Sequence, residues 1–326
     1  MENLLQIKNL TVHYNMETSV VEAVNDISLD IKRGETLGLV GETGAGKTTT
    51  ALAIMGLLQK ARAEIISGEI FLNGESLLDK SAKAMQKIRG DKVSMIFQDP
   101  MTALNPVLTV GEQIAEVVRL HEKCSRAEAA ARAKEMLETV GIPSYRYKEY
   151  PHQFSGGMKQ RVVIAIALAC SPDLLIADEP TTALDVTIQA QVLELMKEQI
   201  QKRDMSVIMI THDLGVVAEI CDKCAVMYAG EIVEYGTVED VLDYPTHPYT
   251  RNLLNSLPSI DGEIKKLQPI EGAVSDPTNL PPYCSFQNRC KECMERCTEG
   301  NPKLVEVAPG HWSKCFQHYK ESEAEK

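Results

Sequence analysis

Gly41-Glu42-Thr43-Gly44-Ala45-Gly46-Lys47-Thr48 follows directly on the apolar run Leu37-Gly38-Leu39-Val40, and a helix-like stretch begins at Lys47. The eight residues satisfy G-x-x-x-x-G-K-S/T. A buried strand that feeds a glycine loop and then a helix is half of a parallel α/β unit. Glycine allows backbone angles that turn successive N–H groups inward on a phosphate, and the helix adds its positive N-terminal end. In that context Lys47 suits the β- and γ-phosphates of a nucleotide, and the Thr48 hydroxyl suits Mg²⁺. Such a string arises by chance in a chain this long with probability on the order of 1%, so a glycine-rich surface turn is a poor alternative.

Two further segments gain meaning from that loop. Leu174-Leu175-Ile176-Ala177-Asp178-Glu179 reads as an apolar strand ending in two carboxylates, at the sheet edge where α/β ligands bind. Asp178 suits Mg²⁺ by way of water, and Glu179 suits the orienting of an attacking water. An acidic pair after a strand is more often a solvated turn or helix cap; a phosphate loop in the same chain reverses that reading. Between the two lies Phe154-Ser155-Gly156-Gly157-Met158-Lys159-Gln160, followed by an apolar helix that ends near Cys170. Ser-Gly-Gly at a helix start again offers N–H donors and a dipole to an anion. A second anion site that cannot be the first suggests nucleotide shared between two subunits.

The 326 residues are 44% hydrophobic and carry a net charge of −12. That supplies a core and excludes a disordered chain. It also argues against a broad basic surface of the kind nucleic-acid binders use. The longest wholly apolar run, Val162 to Cys170, is far short of the roughly 20 residues a membrane-spanning helix needs. The opening MENLLQIKNL has no basic segment followed by an apolar one, so the expected home is the cytosol and the nine cysteines are read as reduced. Five of the nine lie from Cys284 onward, which points to a metal or redox module at that end.

Residues up to 97 read as strands and turns. Thr109-Val-Gly-Glu112 and Ser125-Arg-Ala-Glu128 match the capping box, and the second helix is expected to end at Gly141, with Pro143 beyond. Strands return at Leu174–Ala177, Val207–Ile210 and Ala225–Tyr228, so a helical block interrupts one sheet domain. After about residue 240 prolines crowd the sequence, among them Pro258 and Pro269, and the region reads as an irregular appendage with a charged, frayed tail from Glu321. The expected organisation is a domain over 1–240, with a helical insertion at about 99–170, and an extension over 241–326.

The order of phosphate loop, Gln98 after an apolar strand, Ser-Gly-Gly signature, Asp-Glu strand end, Ala183-Leu184-Asp185 and Thr211-His212-Asp213 resembles the ATP-binding cassette (ABC) ATPases across residues 1–240. The resemblance implies an α/β fold: a P-loop ABC ATPase with a central sheet core, a helical insertion subdomain and, here, an irregular C-terminal Cys-rich extension. It implies two cassettes joined head to tail, each ATP held between one subunit's phosphate loop and the other's signature. Carried over, Tyr14 is the adenine-stacking aromatic, although a lone Tyr there is as often an edge-strand packing residue. Gly41, Glu42, Thr43, Gly44, Ala45, Gly46, Lys47, Thr48 and Thr49 contact nucleotide, as do Ser155, Gly156, Gly157, Met158 and Asp185 from the signature side. Thr48, Gln98 and Asp178 serve Mg²⁺; Glu179 and the switch histidine His212 are catalytic. Phe154 and Met158 depart from the commoner LSGGQ, while Ser155, Gly156 and Gly157 are intact.

Thr246-His247-Pro248-Tyr249-Thr250 and Cys284-x5-Cys290-x6-Cys297, with Gly310-His311-Trp312 and Cys315 later, look like the extension of the peptide-importer ATPases, the dipeptide, oligopeptide and nickel group. The resemblance implies a 4Fe–4S cluster on Cys284, Cys290, Cys297 and Cys315, with Cys293 the extra thiol and zinc the alternative metal. Cys221 and Cys224 read as packing residues. The implied function is the ATPase subunit of a bacterial peptide importer; a nickel importer of the same family and an iron–sulfur redox or sensor ATPase are the alternatives. The implied partners are a second, paralogous ATPase subunit, two transmembrane permeases docked on the helical insertion and an extracytoplasmic solute-binding protein, with no nucleic acid. The implied location is peripheral, on the cytoplasmic face of the membrane.

Overall fold

The computed structural model describes residues 3–59, 61–98, 100–182, 184–256 and 270–319. Ala183, Pro258, Pro269 and the tail from Glu321 lie outside the described residues. The strands are β1 (Asn3–Asn15), β2 (Val20–Lys32), β3 (Thr36–Val40), β4 (Ala63–Leu72), β5 (Glu75–Ser76), β6 (Val93–Ile96), β7 (Leu174–Asp178) and β8 (Ser206–Ile210). They continue with β9 (Lys223–Tyr228), β10 (Glu231–Thr237), β11 (Val305–Ala308) and β12 (His311–Ser313). The helices begin with α1 (Lys47–Ile54), α2 (Ala82–Ile88), α3 (Pro100–Ala103), α4 (Val110–His121), α5 (Arg126–Thr139) and α6 (Gly156–Leu168). The rest are α7 (Val186–Arg203), α8 (Leu214–Ile220), α9 (Val238–Asp243), α10 (Pro248–Asn255) and α11 (Arg296–Glu299).

The chain divides into two compact units, the first built mainly from Phe71–Ile210 with Ile31–Thr36. There β6, β7 and β8 run parallel, with Val93 opposite Leu174 and Asp178 opposite Ile210. Every residue of β7 and β8 is buried, which is why both read as unbroken apolar runs: a parallel strand is covered on both faces. The helical block is set by its caps. Thr109 Oγ1 accepts from the Glu112 N–H at 3.3 Å while Glu112 Oε2 accepts from the Thr109 N–H at 3.1 Å, and Ser125 and Glu128 repeat the exchange. Helix α5 buries Ala129, Ala133, Met136 and Leu137, one face of a 3.6-residue period. It ends at Thr139, with Gly141 at φ +74°, the left-handed exit that glycine favours.

The second unit comprises Gln6–Asp30, Leu37–Ile70 and the chain from Thr211 onward. It holds β1, β2 and β4 in the order β2-β1-β4. It also holds β3 beside β9, parallel, with Leu39 opposite Ala225. Strand β10 pairs antiparallel with β9 and with β12, and β12 pairs with β11. The proline-rich composition after residue 240 had indicated irregular chain, but the β11–β12 hairpin adds to β10 with Glu234 opposite Ser313. Strands of three and four residues are too short to show a period of two, so sequence alone could not register them. Tyr228, Tyr249 and Phe286 pack on Val40, Leu214, Val217 and Val226 in the core of this unit. Cys224 is fully buried in that core and Cys221 packs against it, in line with their reading as packing residues; burial pushes the Cys221 thiol up to about 12. Among the described residues no helix is long and apolar enough to cross a membrane.

Candidate active site

The phosphate loop leaves the fully buried strand β3 at Gly41, whose φ is +149°. A Cβ there would stand 2.2 Å from the Met227 carbonyl oxygen, and one on Gly46, at φ +101°, would stand 2.4 Å from the Ala23 carbonyl oxygen. Neither position accepts a side chain, which is why the motif spaces its glycines as it does. Lys47 opens α1 and is buried, its Nζ donating to the carbonyls of Gly41 at 2.7 Å and Glu42 at 2.9 Å. Ala45 is buried, whereas Thr43, Gly44 and Thr48 are exposed around the loop. The Thr50 hydroxyl donates to the Gly46 carbonyl at 3.0 Å, tightening the first turn of α1. Tyr14, on β1, shares a hydrogen bond of 3.5 Å with the Thr49 hydroxyl, so the proposed adenine-stacking ring stands beside the loop's helix. Also in this unit, the Thr211 N–H donates to the Leu39 carbonyl at 3.4 Å, which sets the neighbouring, exposed His212 near the end of β3 that carries the loop.

The acidic constellation belongs to the first unit. Asp178 is buried at the end of β7. Glu179 follows with φ +47°, its N–H donating to the Ile210 carbonyl at 2.8 Å. A left-handed glutamate costs roughly 1–3 kcal/mol and marks a site whose geometry is imposed by its surroundings. Gln98 Nε2 donates to Glu179 Oε2 at 2.8 Å, and the Thr182 hydroxyl donates to the same oxygen at 2.9 Å. Two donors on one oxygen hold the carboxylate in a fixed orientation. Gln160, buried on α6, donates to the Pro180 carbonyl at 2.5 Å and ties the signature helix to the turn after Glu179.

The signature is a helix start. Ser155 caps α6 by accepting from the Met158 N–H at 3.4 Å. Ser155 and Gly156 are exposed, and Gly157 is buried where a Cβ would stand 2.3 Å from Ile188 of α7. Asp185 caps α7 through the Ile188 N–H at 3.0 Å. The two departures from LSGGQ share a neighbour: the Arg146 guanidinium lies 4.2 Å from the Phe154 ring centre, and its Nη1 lies 3.3 Å from the Met158 sulfur. Arg146 is itself ion-paired with Glu149 at 2.6 Å. Sequence reasoning missed it because nothing in the chain links residue 146 to residues 154 and 158 before folding.

In the extension, Cys297 and Cys315 are buried, Cys284 and Cys290 are half-buried and Cys293 is exposed. The first four are electrostatic neighbours. Burial, with Cys297, Cys315 and Cys290 nearby, pushes the Cys284 thiol up to about 12; burial, with Cys315, Cys293 and Cys297 nearby, pushes Cys290 up to about 11. Among the described residues no three His, Cys, Asp or Glu side chains converge closely enough to hold a metal ion. The donor chemistry nevertheless is that of a thiolate-bound metal: Cys284, Cys290, Cys297 and Cys315 lie in one another's field, and the exposed Cys293 neighbours Cys290 and Cys297. Sequence reasoning also overlooked Arg289, the residue before Cys290, which forms a bidentate pair with Glu42 of the phosphate loop.

Residues 24–182 match the ABC transporter family, and residues 233–297 match the oligopeptide/dipeptide transporter C-terminal region. The chain belongs to the ABC transporter ATP-binding family and has its α/β cassette fold; it is an ABC-type ATPase. Within that family it falls among the oligopeptide and dipeptide transport proteins. It is 51% identical to the oligopeptide transport ATP-binding protein AppD of Bacillus subtilis over 323 residues, covering 98% of each chain. It is 50% identical to the dipeptide transport ATP-binding protein DppD of the same organism, covering 97% of this chain and 95% of that one. The oligopeptide transport ATP-binding protein OppD of Escherichia coli is 49% identical, over 98% of this chain and 94% of its own. Among solved structures, the dimeric cassette MJ0796 in a post-hydrolysis state with ADP and Pi is 29% identical, with a TM-score of 0.65 over 72% of this chain and 98% of that one.

Proposed function

We infer that this chain is the ATP-hydrolysing subunit that powers a bacterial importer for dipeptides or oligopeptides. The observation that carries the reading is the joining, in one chain, of an ABC ATPase with the oligopeptide/dipeptide transporter C-terminal region. The names of the relatives speak for peptides rather than nickel, and for transport rather than redox sensing.

In the mechanism we propose, the phosphate loop from Gly41 to Thr49 holds the β- and γ-phosphates through backbone N–H groups and Lys47, with Tyr14 against the base. Thr48, Gln98 and Asp178 are the residues that would hold Mg²⁺, whose charge neutralises the phosphates. Glu179 accepts a proton from the water that attacks the γ-phosphate in line. Gln98 and Thr182, both on Oε2, fix its orientation. His212 and the N–H groups of Ser155, Gly156, Gly157 and Met158 stabilise charge on the transferring group. The signature N–H groups and Asp185 act on the nucleotide of a second cassette, a paralogous chain.

The organisation we propose is a cassette over 1–240, with its helical insertion at about 99–170 receiving two permeases, and a Cys-rich extension over 241–326. The subunit lies on the cytoplasmic face of the membrane, and an extracytoplasmic binding protein delivers the peptide. Cys284, Cys290, Cys297 and Cys315 are the residues that would hold a 4Fe–4S cluster, supplying a covalent staple to a segment with a small core. The test is the assembled transporter in liposomes. ATP turnover rising several-fold with peptide-loaded binding protein supports the reading; turnover that responds to Ni²⁺ and not to peptide overturns it.

A further inference from the structure

Glu42 is the first variable residue of the phosphate loop, and each of its polar groups is engaged within the second unit. Its carbonyl accepts from Lys47 Nζ at 2.9 Å. Its N–H donates to the Tyr249 hydroxyl at 3.0 Å, and Tyr249, on α10, is fully buried. Its carboxylate meets the Arg289 guanidinium end on, Nη1 to Oε2 at 2.6 Å and Nη2 to Oε1 at 3.0 Å. The Arg289 side chain is only 3% exposed and that of Glu42 28%.

The remaining donors of Arg289 are also placed. Nε donates to the Glu271 carbonyl at 3.3 Å, Nη2 to the Ile270 carbonyl at 3.3 Å and Nη1 to the Tyr228 hydroxyl at 3.4 Å. A guanidinium has five N–H groups, and here all five have acceptors. None is left for a phosphate, so Arg289 does not act on nucleotide directly. What it does is hold one loop residue in a fixed fork and cancel a carboxylate that would otherwise stand beside the triphosphate. A bidentate fork fixes orientation as well as charge, which a lysine cannot do.

We propose that Arg289 is a positioning residue of the nucleotide site: with Tyr249 it clamps the phosphate loop at Glu42, so that the C-terminal extension sets the affinity for ATP. The proposal rests on the phosphate loop being the ATP site. Because Arg289 directly precedes Cys290, whatever orders the cysteine stretch orders the clamp.

The test is binding of MgATP and of a fluorescent ATP analogue to the purified full-length chain, with steady-state turnover in the assembled transporter. Arg289→Ala exposes the triphosphate to an unpaired carboxylate and should weaken ATP binding about tenfold or more. It should raise KM by the same factor and leave kcat at saturating ATP within about twofold. Arg289→Lys should fall between. The double change Arg289→Ala with Glu42→Gln removes the unpaired charge and should bind ATP more tightly than Arg289→Ala alone. A merely structural arginine would lower the melting temperature without this recovery. ATP affinity of folded Arg289→Ala within twofold of the parent, or a double variant as weak as the sum of the singles, overturns the proposal. If Arg289→Ala does not fold, Tyr249→Phe and Glu42→Gln decide: several-fold weaker ATP binding in both supports the clamp, and parent-like binding in both overturns it. A parent chain that binds no ATP while remaining folded overturns the nucleotide-site reading itself, and the clamp with it.

Discussion

Eight contiguous residues build the phosphate loop, whereas the extension that grips it is assembled from side chains scattered over the last third of the sequence. The loop needs little beyond its own backbone: glycines where Cβ atoms would collide and a lysine folded back onto its own carbonyls. The extension depends on two carboxylates of β10. Glu234 is fully buried and accepts from the Thr246 N–H at 2.6 Å, the Thr246 hydroxyl at 2.7 Å and the His247 N–H at 3.1 Å, with His311 Nε2 at 2.8 Å. Glu231 pairs with Lys314 at 2.5 Å and accepts from Asn301 at 2.8 Å and Ser285 at 3.3 Å. A motif carried by local backbone conformation tolerates change around it, while a fold carried by long-range pairs concentrates its stability in a few residues.

The largest effect is expected where the local motif does chemistry. Glu179→Gln keeps shape and phosphate contacts but cannot take a proton, so hydrolysis should fall by about 10²–10⁴ while ATP binding stays within a few-fold. Single-turnover hydrolysis in the assembled transporter measures this; turnover within a few-fold of the parent would remove Glu179 from the mechanism. The opposite pattern is expected in the extension, with stability lost and chemistry spared. Glu234→Ala strips one side of a buried, hydrogen-bonded charge cluster and should cost about 3–5 kcal/mol, read as a fall in urea midpoint, while ATP affinity of the folded fraction changes less.

The sequence was legible where neighbours in the chain are neighbours in space. The phosphate loop, both capping boxes and the β7 and β8 runs could be read because their spacing is their geometry. The Gln98–Glu179–Thr182 constellation was half legible: two members were named, and Thr182 was not, because a threonine after a strand end carries no signal of its own. Arg146 against Phe154 and Met158, and Arg289 against Glu42, were not legible at all. The resemblance to peptide-importer ATPases marked Tyr249 within Thr246–Thr250 but not its hydroxyl's role at the loop. The β11–β12 hairpin stayed hidden because prolines dominate the composition around strands too short to be periodic.

The third expected effect is one of pH. His247 caps α10 by accepting from the Tyr249 N–H at 3.1 Å, and burial, then Arg251 and His318, hold its pKa down to about 3 from an ordinary value of 6.5. The Glu234 carboxylate accepts from its backbone N–H at 3.1 Å. The folded protein keeps His247 neutral, whereas the unfolded chain takes up a proton below pH 6.5. The contribution is therefore complete above about pH 6.5 and declines as the pH falls toward 3. One proton gives a slope of about 1.4 kcal/mol per pH unit. Urea titrations from pH 7 to pH 4 should show that slope in the parent and a flatter one in His247→Asn, whose amide oxygen can take over the cap. Equal slopes would mean that other groups govern acid unfolding.

The smallest effect is expected at Cys293, and it tests the proposed thiol assignment most sharply. Cys293 is exposed; its thiol lies by the Met294 carbonyl at 3.6 Å and the Gln287 side chain at 4.0 Å, with Cys297 as a thiol neighbour. A serine there should change stability by no more than about 0.5 kcal/mol. Cys290 is half-buried among the other thiols, and burial keeps it protonated near neutral pH unless a metal displaces the proton. Chain purified without oxygen should therefore carry about four irons; Cys290→Ser should lose them, and Cys293→Ser should keep them with unchanged melting. One zinc and no iron would replace the cluster while sparing its ligands. Metal lost on changing Cys293 but retained on changing Cys315 would exchange those two ligands, and the exposed thiol would become the one that the extension is built around.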